Sequence, residues 1–176
     1  MREKLIASER IFDGQILNLR VDTVQLPDGR RTTREVVEHK GAVGMVALTD
    51  SGEIVLVRQY RRAPDEVLLE IPAGRLEPGE RPEDCARREL AEEIGRVPSQ
   101  LEKLGELYSA PGYSQELLHL FLAGGLKEAE GCRDPDELME IVEVRLQDAV
   151  EMCSQAEIRD LKTAAGIALA VRFLEG

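Results

Sequence analysis

The chain contains no tryptophan and only three tyrosines and three phenylalanines among 176 residues, a scarcity that carries little functional weight. Cysteine is equally sparse. The three present, Cys85, Cys132 and Cys153, are odd in number and lack the spacing of a metal site, so a reduced, cytoplasmic protein is the natural expectation. Long apolar runs are missing as well. The start, MREKLIASERIFDG, has no signal-peptide core, and no stretch approaches the roughly 20 apolar residues of a membrane span. Basic residues are in deficit: 23 Lys and Arg against 34 Asp and Glu leave a net charge of −11. That balance argues against a nucleic-acid backbone or an anionic membrane as the main partner. An acidic protein that handles an anionic substrate needs local cations, either bound metal or well-placed arginine.

What is present suits one domain, residues 1–176, with an ordinary hydrophobic content of 43%. The first forty residues read as extended structure: Ile16 to Leu26 alternates in part, Pro27-Asp28-Gly29-Arg30 makes a turn, and Thr32 to Glu38 returns. Gly41 to Thr49 and Glu53 to Tyr60 read as a second hairpin across Asp50-Ser51-Gly52, and Val67 to Ile71 as a short apolar strand ending at Pro72-Ala73-Gly74. Pro82, beside Glu80, Glu83 and Asp84, opens a helix that Gly95 closes, with Ala86, Leu90 and Ile94 as its apolar stripe. Strands are expected over Leu101–Ser109, Leu117–Ala123 and Met139–Leu146, then an amphipathic helix over Glu157–Leu174. Strands on both sides of an internal helix imply an α+β fold.

The chemistry concentrates in Gly74 to Gly95, GRLEPGERPEDCARRELAEEIG. Glu89, Glu92 and Glu93 are spaced i, i+3, i+4, so a helix puts all three carboxylates on one face. Like charges at that spacing repel, and carboxylates in the last turns oppose the helix dipole. A divalent cation reverses the sign of the argument, because hard ions such as Mg²⁺ favour carboxylate oxygens. The pattern Gly74, Glu80, Arg88, Glu89, Leu90, Glu92, Glu93, Gly95 resembles the signature box of Nudix hydrolases, enzymes that cleave nucleoside diphosphates linked to another moiety. One position departs: Arg96 stands where an apolar residue is usual. A chance match at the fixed positions is on the order of one in 10⁸ at ordinary residue frequencies.

The resemblance implies an α/β/α sandwich, a mixed sheet between helices, with residues 1–40 as a strand-rich, dimer-forming extension and 41–176 as the catalytic core. It implies Mg²⁺, with Mn²⁺ as the alternative, held by Glu89, Glu93, Glu92 and the Ala73 carbonyl. Arg88 would fix a carboxylate rotamer, Gly74 would let the backbone approach the metal, and Glu80 would stabilise the helix N-terminus. Cys85, at a position the box leaves free, reads as a packing residue.

A second stretch, Ser109-Ala110-Pro111-Gly112-Tyr113-Ser114-Gln115-Glu116, is similar to one in ADP-ribose pyrophosphatases of that family, with Ala110 where they carry serine. By that likeness Pro111 and Gly112 shape the substrate turn and Glu116 takes ribose hydroxyls. Thr33 to His39 resembles the strand that meets adenine, with Glu35 reaching an amino group and Arg34 beside it. In the run Arg58-Gln59-Tyr60-Arg61-Arg62, Arg61 would contact phosphate, and Arg75 would line the site. Read without the family, Pro-Gly is a turn, Glu116 an exposed strand residue, and the arginines a basic strand end. His39 and His119 read as structural.

For the catalytic base the resemblance points to the acidic loop 132–138, where Glu137 aligns first and Asp136 second, then to Glu140 just beyond it, with the box residues Glu92 and Glu93 as the other source. The implied reaction is hydrolysis of ADP-ribose to AMP and ribose 5-phosphate by a homodimer. GDP-mannose, ADP-glucose or a dinucleotide remain open as substrates. A non-catalytic ADP-ribose-sensing module is the alternative from another class; such modules usually lose box carboxylates.

Overall fold

The computed structural model describes residues 1–129 and 138–176. The chain divides into two compact units, one of Met1–Gly41 with Tyr108–Leu117 and one of Ala42–Leu107 with Leu118–Gly176.

In the first unit, β1 (Lys4–Asp13), β2 (Asn18–Gln25) and β3 (Arg31–Glu38) form an antiparallel sheet in that order. Gly29 makes the β2–β3 turn at φ +88°, a conformation that a Cβ disfavours, and the Leu26 amide bonds the Arg30 carbonyl at 2.8 Å across it. The turn fixes the register from Gln25↔Arg31 to Asn18↔Glu38. β1 is exposed along its whole length and shows Leu5, Ile6, Ile11 and Phe12 to solvent. Val37 of β3 bridges Ser114, with its amide 2.7 Å from the Tyr113 carbonyl.

The second unit is built on a sheet that forks. β4 (Ala42–Leu48) and β5 (Glu53–Arg61) pair only over Ala47↔Val55 and Leu48↔Ile54. Beyond those rows they splay apart. β6 (Glu66–Glu70) follows β5 and β7 (Ala73–Arg75) follows β4 in the gap between them. The remaining elements are α1 (Pro82–Ile94), β8 (Arg96–Tyr108), β9 (Leu117–Glu128), β10 (Met139–Arg145), α2 (Leu146–Ser154) and α3 (Leu161–Leu174). The strand order is β10-β5-β4-β9-β8, and the β4–β9 pair is parallel, so the sheet is mixed.

Alternation along β4 divides the core. Val43, Met45 and Ala47 pack with Cys85, Ala86, Leu90 and Ile94 of α1, whereas Val46 packs with Ile71 and with Ile167 and Ala170 of α3. A strand buried on both faces must be apolar at nearly every position, and GAVGMVALT is. Helices therefore flank a mixed sheet, as expected. Gly166 lets α3 come close: a Cβ there would lie 3.0 Å from Ile71 Cδ1 and 3.2 Å from Val46 Cγ2.

Some boundaries differ from the reading of the letters. The hairpin of β4 and β5 closes over two rows only. The strand expected from Leu101 starts at Arg96, the last helix starts at Leu161, and α2 was not foreseen.

Candidate functional site

The fork brings two short pieces of backbone under one helix. Met45 donates its amide to the Pro72 carbonyl at 2.9 Å, which carries the chain from β6 into β7 and sets Ala73 and Gly74 beside β4. Above them runs α1, which begins at Pro82 with Glu83 and Asp84 in its first turn. It ends at Gly95, whose φ of +67° makes a left-handed cap bonded to the Ala91 and Leu90 carbonyls. Burial of Ala86, Leu90 and Ile94 fixes the rotation of the helix, and that rotation turns Glu89 and Glu93 towards β7.

The fit is close enough to exclude a methyl group. A Cβ on Gly74 would overlap the Cδ, Oε1 and Cγ of Glu89. Glu93 is only 6% exposed, and its Oε2 accepts the Ala73 amide at 3.0 Å. Arg88 organises the remaining acids. Its Nη1 donates to Glu89 Oε1 at 2.6 Å and to Glu92 Oε2 at 3.0 Å. Nε and Nη2 donate to the two oxygens of Glu80, each at 3.0 Å. Nη2 also meets the Arg75 carbonyl and Cys85 Sγ, both at 3.3 Å. The carboxylates hold the guanidinium proton more tightly than usual, Glu80 first, and Arg88 in turn lowers the Glu80 carboxyl to about 2. Cys85 is buried, donates to the Arg75 carbonyl at 3.4 Å, and has its thiol pushed up to about 12 by that burial. It is an inert packing group.

Glu80 does not address the first amides of the helix, as the sequence suggested. Its carboxylate is committed to Arg88 and to the Glu77 amide at 2.9 Å, and Glu83 and Asp84 face the dipole instead. Among the described residues, no three His, Cys, Asp or Glu side chains stand in the arrangement of a ready-made metal site. Arg88 is the cation that Glu80, Glu89 and Glu92 share. The donors around Gly74 nevertheless suit a hard divalent ion: all are oxygens, and the glycine brings backbone within reach of the Glu89 carboxylate. Glu89, Glu92, Glu93 and the Ala73 carbonyl could hold one.

Arg61, the expected phosphate ligand, lies in the same unit. Its Nε and Nη2 grip the two oxygens of Glu70 at 2.8 Å each, and its charge is coupled to Glu93. Glu70 went unread in the sequence. The one available signal was a lone acid closing an apolar strand, Val67-Leu68-Leu69-Glu70-Ile71. Arg75 is exposed. His119 Nδ1 lies 3.0 Å from a Glu106 oxygen, an ion-pair distance without hydrogen-bond geometry.

The other expected substrate residues belong to the first unit. Arg34 and Glu35 are exposed on β3, and Arg34 pairs with Glu3 at 2.6 Å. Pro111 and Gly112 form an exposed turn closed by Tyr113 and Ser114 amides on the Ala110 carbonyl. Glu116 is held by the Ser109 hydroxyl at 2.6 Å and lies 3.5 Å from His39 Nδ1. Ser109 therefore keeps a hydroxyl at this turn although Ala110 takes the serine position of the resembled motif. The first two candidates for the base, Glu137 and Asp136, lie outside the described residues; Glu140 pairs with Arg58 at 3.0 Å.

Comparison with known proteins bears on the family and the fold. Residues 38–165 match the NUDIX domain, and residues 3–37 match the nucleoside diphosphate sugar hydrolase N-terminal domain. The chain is 44% identical to an ADP-ribose pyrophosphatase of Bacillus subtilis over 95% of this chain and 91% of that protein. It is 41% identical to a methanol dehydrogenase activator of Bacillus methanolicus over 98% and 92%. The fold matches a crystal structure of an ADP compounds hydrolase with a TM-score of 0.89, at 22% identity, over 100% of this chain and 96% of that one. A domain match over most of the chain, relatives of this identity along nearly its full length, and an intact acidic helix lead to one conclusion: the chain belongs to the Nudix hydrolase family.

Proposed function

We propose that this enzyme hydrolyses the pyrophosphate bond of ADP-ribose and related nucleoside diphosphate sugars, releasing AMP and ribose 5-phosphate with Mg²⁺ as cofactor. The observation that carries the reading is the seating of Glu89 and Glu93 against the bare backbone of Ala73 and Gly74, in a chain whose full-length relatives include an ADP-ribose pyrophosphatase. Glu89, Glu92, Glu93 and the Ala73 carbonyl would hold Mg²⁺ or Mn²⁺. A metal bound there supplies Lewis acidity towards the phosphoryl oxygens and makes bound water a stronger acid.

The protein's own residues do the rest. Arg88 gathers Glu80, Glu89 and Glu92, restricting the three box acids to which it donates. Arg61 is assigned to supply positive charge for the diphosphate, a need the −11 net charge makes acute, with Arg75 lining the site and Arg34 standing beside Glu35 on β3. Glu35 is assigned to the adenine amino group and Glu116 to ribose hydroxyls, with Pro111 and Gly112 shaping the turn beside them. Ser109 supports that role by fixing the Glu116 rotamer. The base that deprotonates the attacking water is Glu137 or, failing that, Glu92 or Glu93.

Residues 1–40 are assigned as a dimer-forming segment and residues 41–176 as the catalytic core of one Nudix domain. The basis is β1, which exposes Leu5, Ile6, Ile11 and Phe12, and a second copy of the chain is the partner that would cover them. Cys85 and Cys153, free among the described residues, fit a cytoplasmic enzyme. A panel of ADP-ribose, ADP-glucose, GDP-mannose and dinucleotides, assayed with Mg²⁺, tests the substrate. ADP-ribose should give the highest kcat/KM and yield AMP. No turnover of it, with another sugar nucleotide cleaved, would overturn the assignment.

A further inference from the structure

Glu70 ends β6 and is 1% exposed, the most buried charged side chain among the described residues. Desolvation alone would drive such a carboxylate to its neutral form. Two cations prevent that. Arg61 grips both oxygens, and Lys162, from the first turn of α3, bonds Oε2. Burial pushes the Glu70 carboxyl up, but the two partners outweigh it and the group lies below its ordinary range. Lys162 is itself shared, reaching Asp160 Oδ2 at 2.9 Å, and the same oxygen caps α3 by taking the Thr163 amide at 3.0 Å.

This cluster meets the site in two ways. Thr163 Oγ1 accepts the amide of Ile71 at 2.9 Å, two residues before Ala73, so the turn of α3 that carries Lys162 also pins the backbone entering β7. The Glu93 charge also acts on Arg61, behind that of Glu70, and holds the guanidinium proton more tightly. With Lys162 present, Glu70 and Asp160 divide their charge between two cations. With it removed, Asp160 would keep its bonds from Thr163, Glu70 would keep Arg61 as its one bonded cation among the described residues, and less of the Arg61 field would be left for an anionic ligand.

We propose that Lys162 is a positioning residue for the hydrolysis: by sharing Glu70 from the α3 side of the sheet, it leaves Arg61 electropositive and aimed at the diphosphate. The proposal rests on the hydrolase reading above and on the role given there to Arg61. It extends the functional residues to a helix outside the signature box and outside the substrate stretches.

The test compares wild type, K162M, K162R, E70Q and the K162M/E70Q double variant in full-length protein. Steady-state kcat and KM are measured on the panel substrate that the wild type cleaves best. Calorimetric affinity for AMP and for inorganic pyrophosphate is measured with a chelator present, so neither metal nor turnover enters. Removing one charge behind the guanidinium should raise KM and weaken both ligands by about ten-fold, the change expected at the effective dielectric of a protein. The effect on kcat should be smaller. K162R should restore both, and K162M should cost little once E70Q has removed the buried anion. Should K162M not fold, K162Q gives the same reading, because its amide keeps a donor to Glu70 while losing the charge. A lower Tm with unchanged KM and ligand affinities would overturn the proposal, as would equal penalties with and without E70Q. If the wild type cleaves nothing in the panel, the substrate assignment fails, and the chelated-ligand measurements still decide the role of Lys162.

Discussion

Gly74→Ala is the smallest change that separates packing from chemistry in this site. The added Cβ would coincide with the Glu89 carboxyl, well inside contact distance of three of its atoms. One side must retreat by an ångström or more. The strand cannot, because Gly74 is paired with Val43 of β4 and Ala73 is bonded to Glu93. Glu89 is the mobile partner: its carboxylate sits at the end of a flexible side chain and would swing off β7, taking its 2.6 Å bond to Arg88 with it. Overpacking of this kind costs about 1–3 kcal/mol, and a shift in Tm of roughly 2–4 °C per kcal/mol follows for a chain of this size. The catalytic cost should be far larger, since an ångström of misplacement in a catalytic group lowers kcat by about 10²-fold. The assay is kcat against Mg²⁺ concentration beside a thermal melt, with the metal concentration for half-maximal rate expected to rise. Gly105→Ala is the control: its Cβ would meet Leu169 Cδ1 at an ordinary 3.5 Å, and its rate should match wild type. A G74A enzyme within a few-fold of wild-type kcat would refute the reasoning.

Glu93→Gln keeps an oxygen to accept the Ala73 amide, so folding should hold while kcat falls by roughly 10³-fold or more; near-normal turnover would remove Glu93 from the metal site. Glu137→Gln decides the base: a loss of only a few-fold would return that duty to Glu92 or Glu93. Glu80 titrates near 2 in the folded chain, held down first by Arg88, against an ordinary 4.5. Its contribution to stability is therefore complete above pH 4.5 and lost as pH falls towards 2, and an E80Q variant should lack that part of the acid-melting profile. Thr163→Val removes the buried acceptor for the Ile71 amide and should cost about 1–3 kcal/mol in denaturant unfolding; an unchanged midpoint would contradict that bond's part in holding the strand.

The site helix was legible because its signals are local. Pro82 and Gly95 bound it, Ala86, Leu90 and Ile94 orient it, and the i, i+3, i+4 spacing of the acids follows from one helical period. The seating of Glu89 on Gly74 was legible only as a likeness, because it depends on β7 lying under α1. The fork between β4 and β5 was not legible. Both segments are strand-like throughout, and nothing in Gly41 to Tyr60 says that pairing stops after two rows. The Glu70 cluster was hidden for the same reason. Glu70 and Lys162 stand 92 residues apart in sequence, and Lys162 looks like any charge at the start of an amphipathic helix. Arg88 was read as a partner for one carboxylate and proves to serve three, since Glu80 folds back across the loop to meet it.

The acids of α1 and the Ala73 carbonyl are proposed to hold a divalent cation against a diphosphate. A crystal structure with Mg²⁺ and a non-hydrolysable ADP-ribose analogue tests it most directly. Glu89 and Glu93 should then be ligands of the ion, with the diphosphate of the analogue beside it. A nucleotide bound elsewhere, or a metal that leaves both carboxylates uncoordinated, would contradict it.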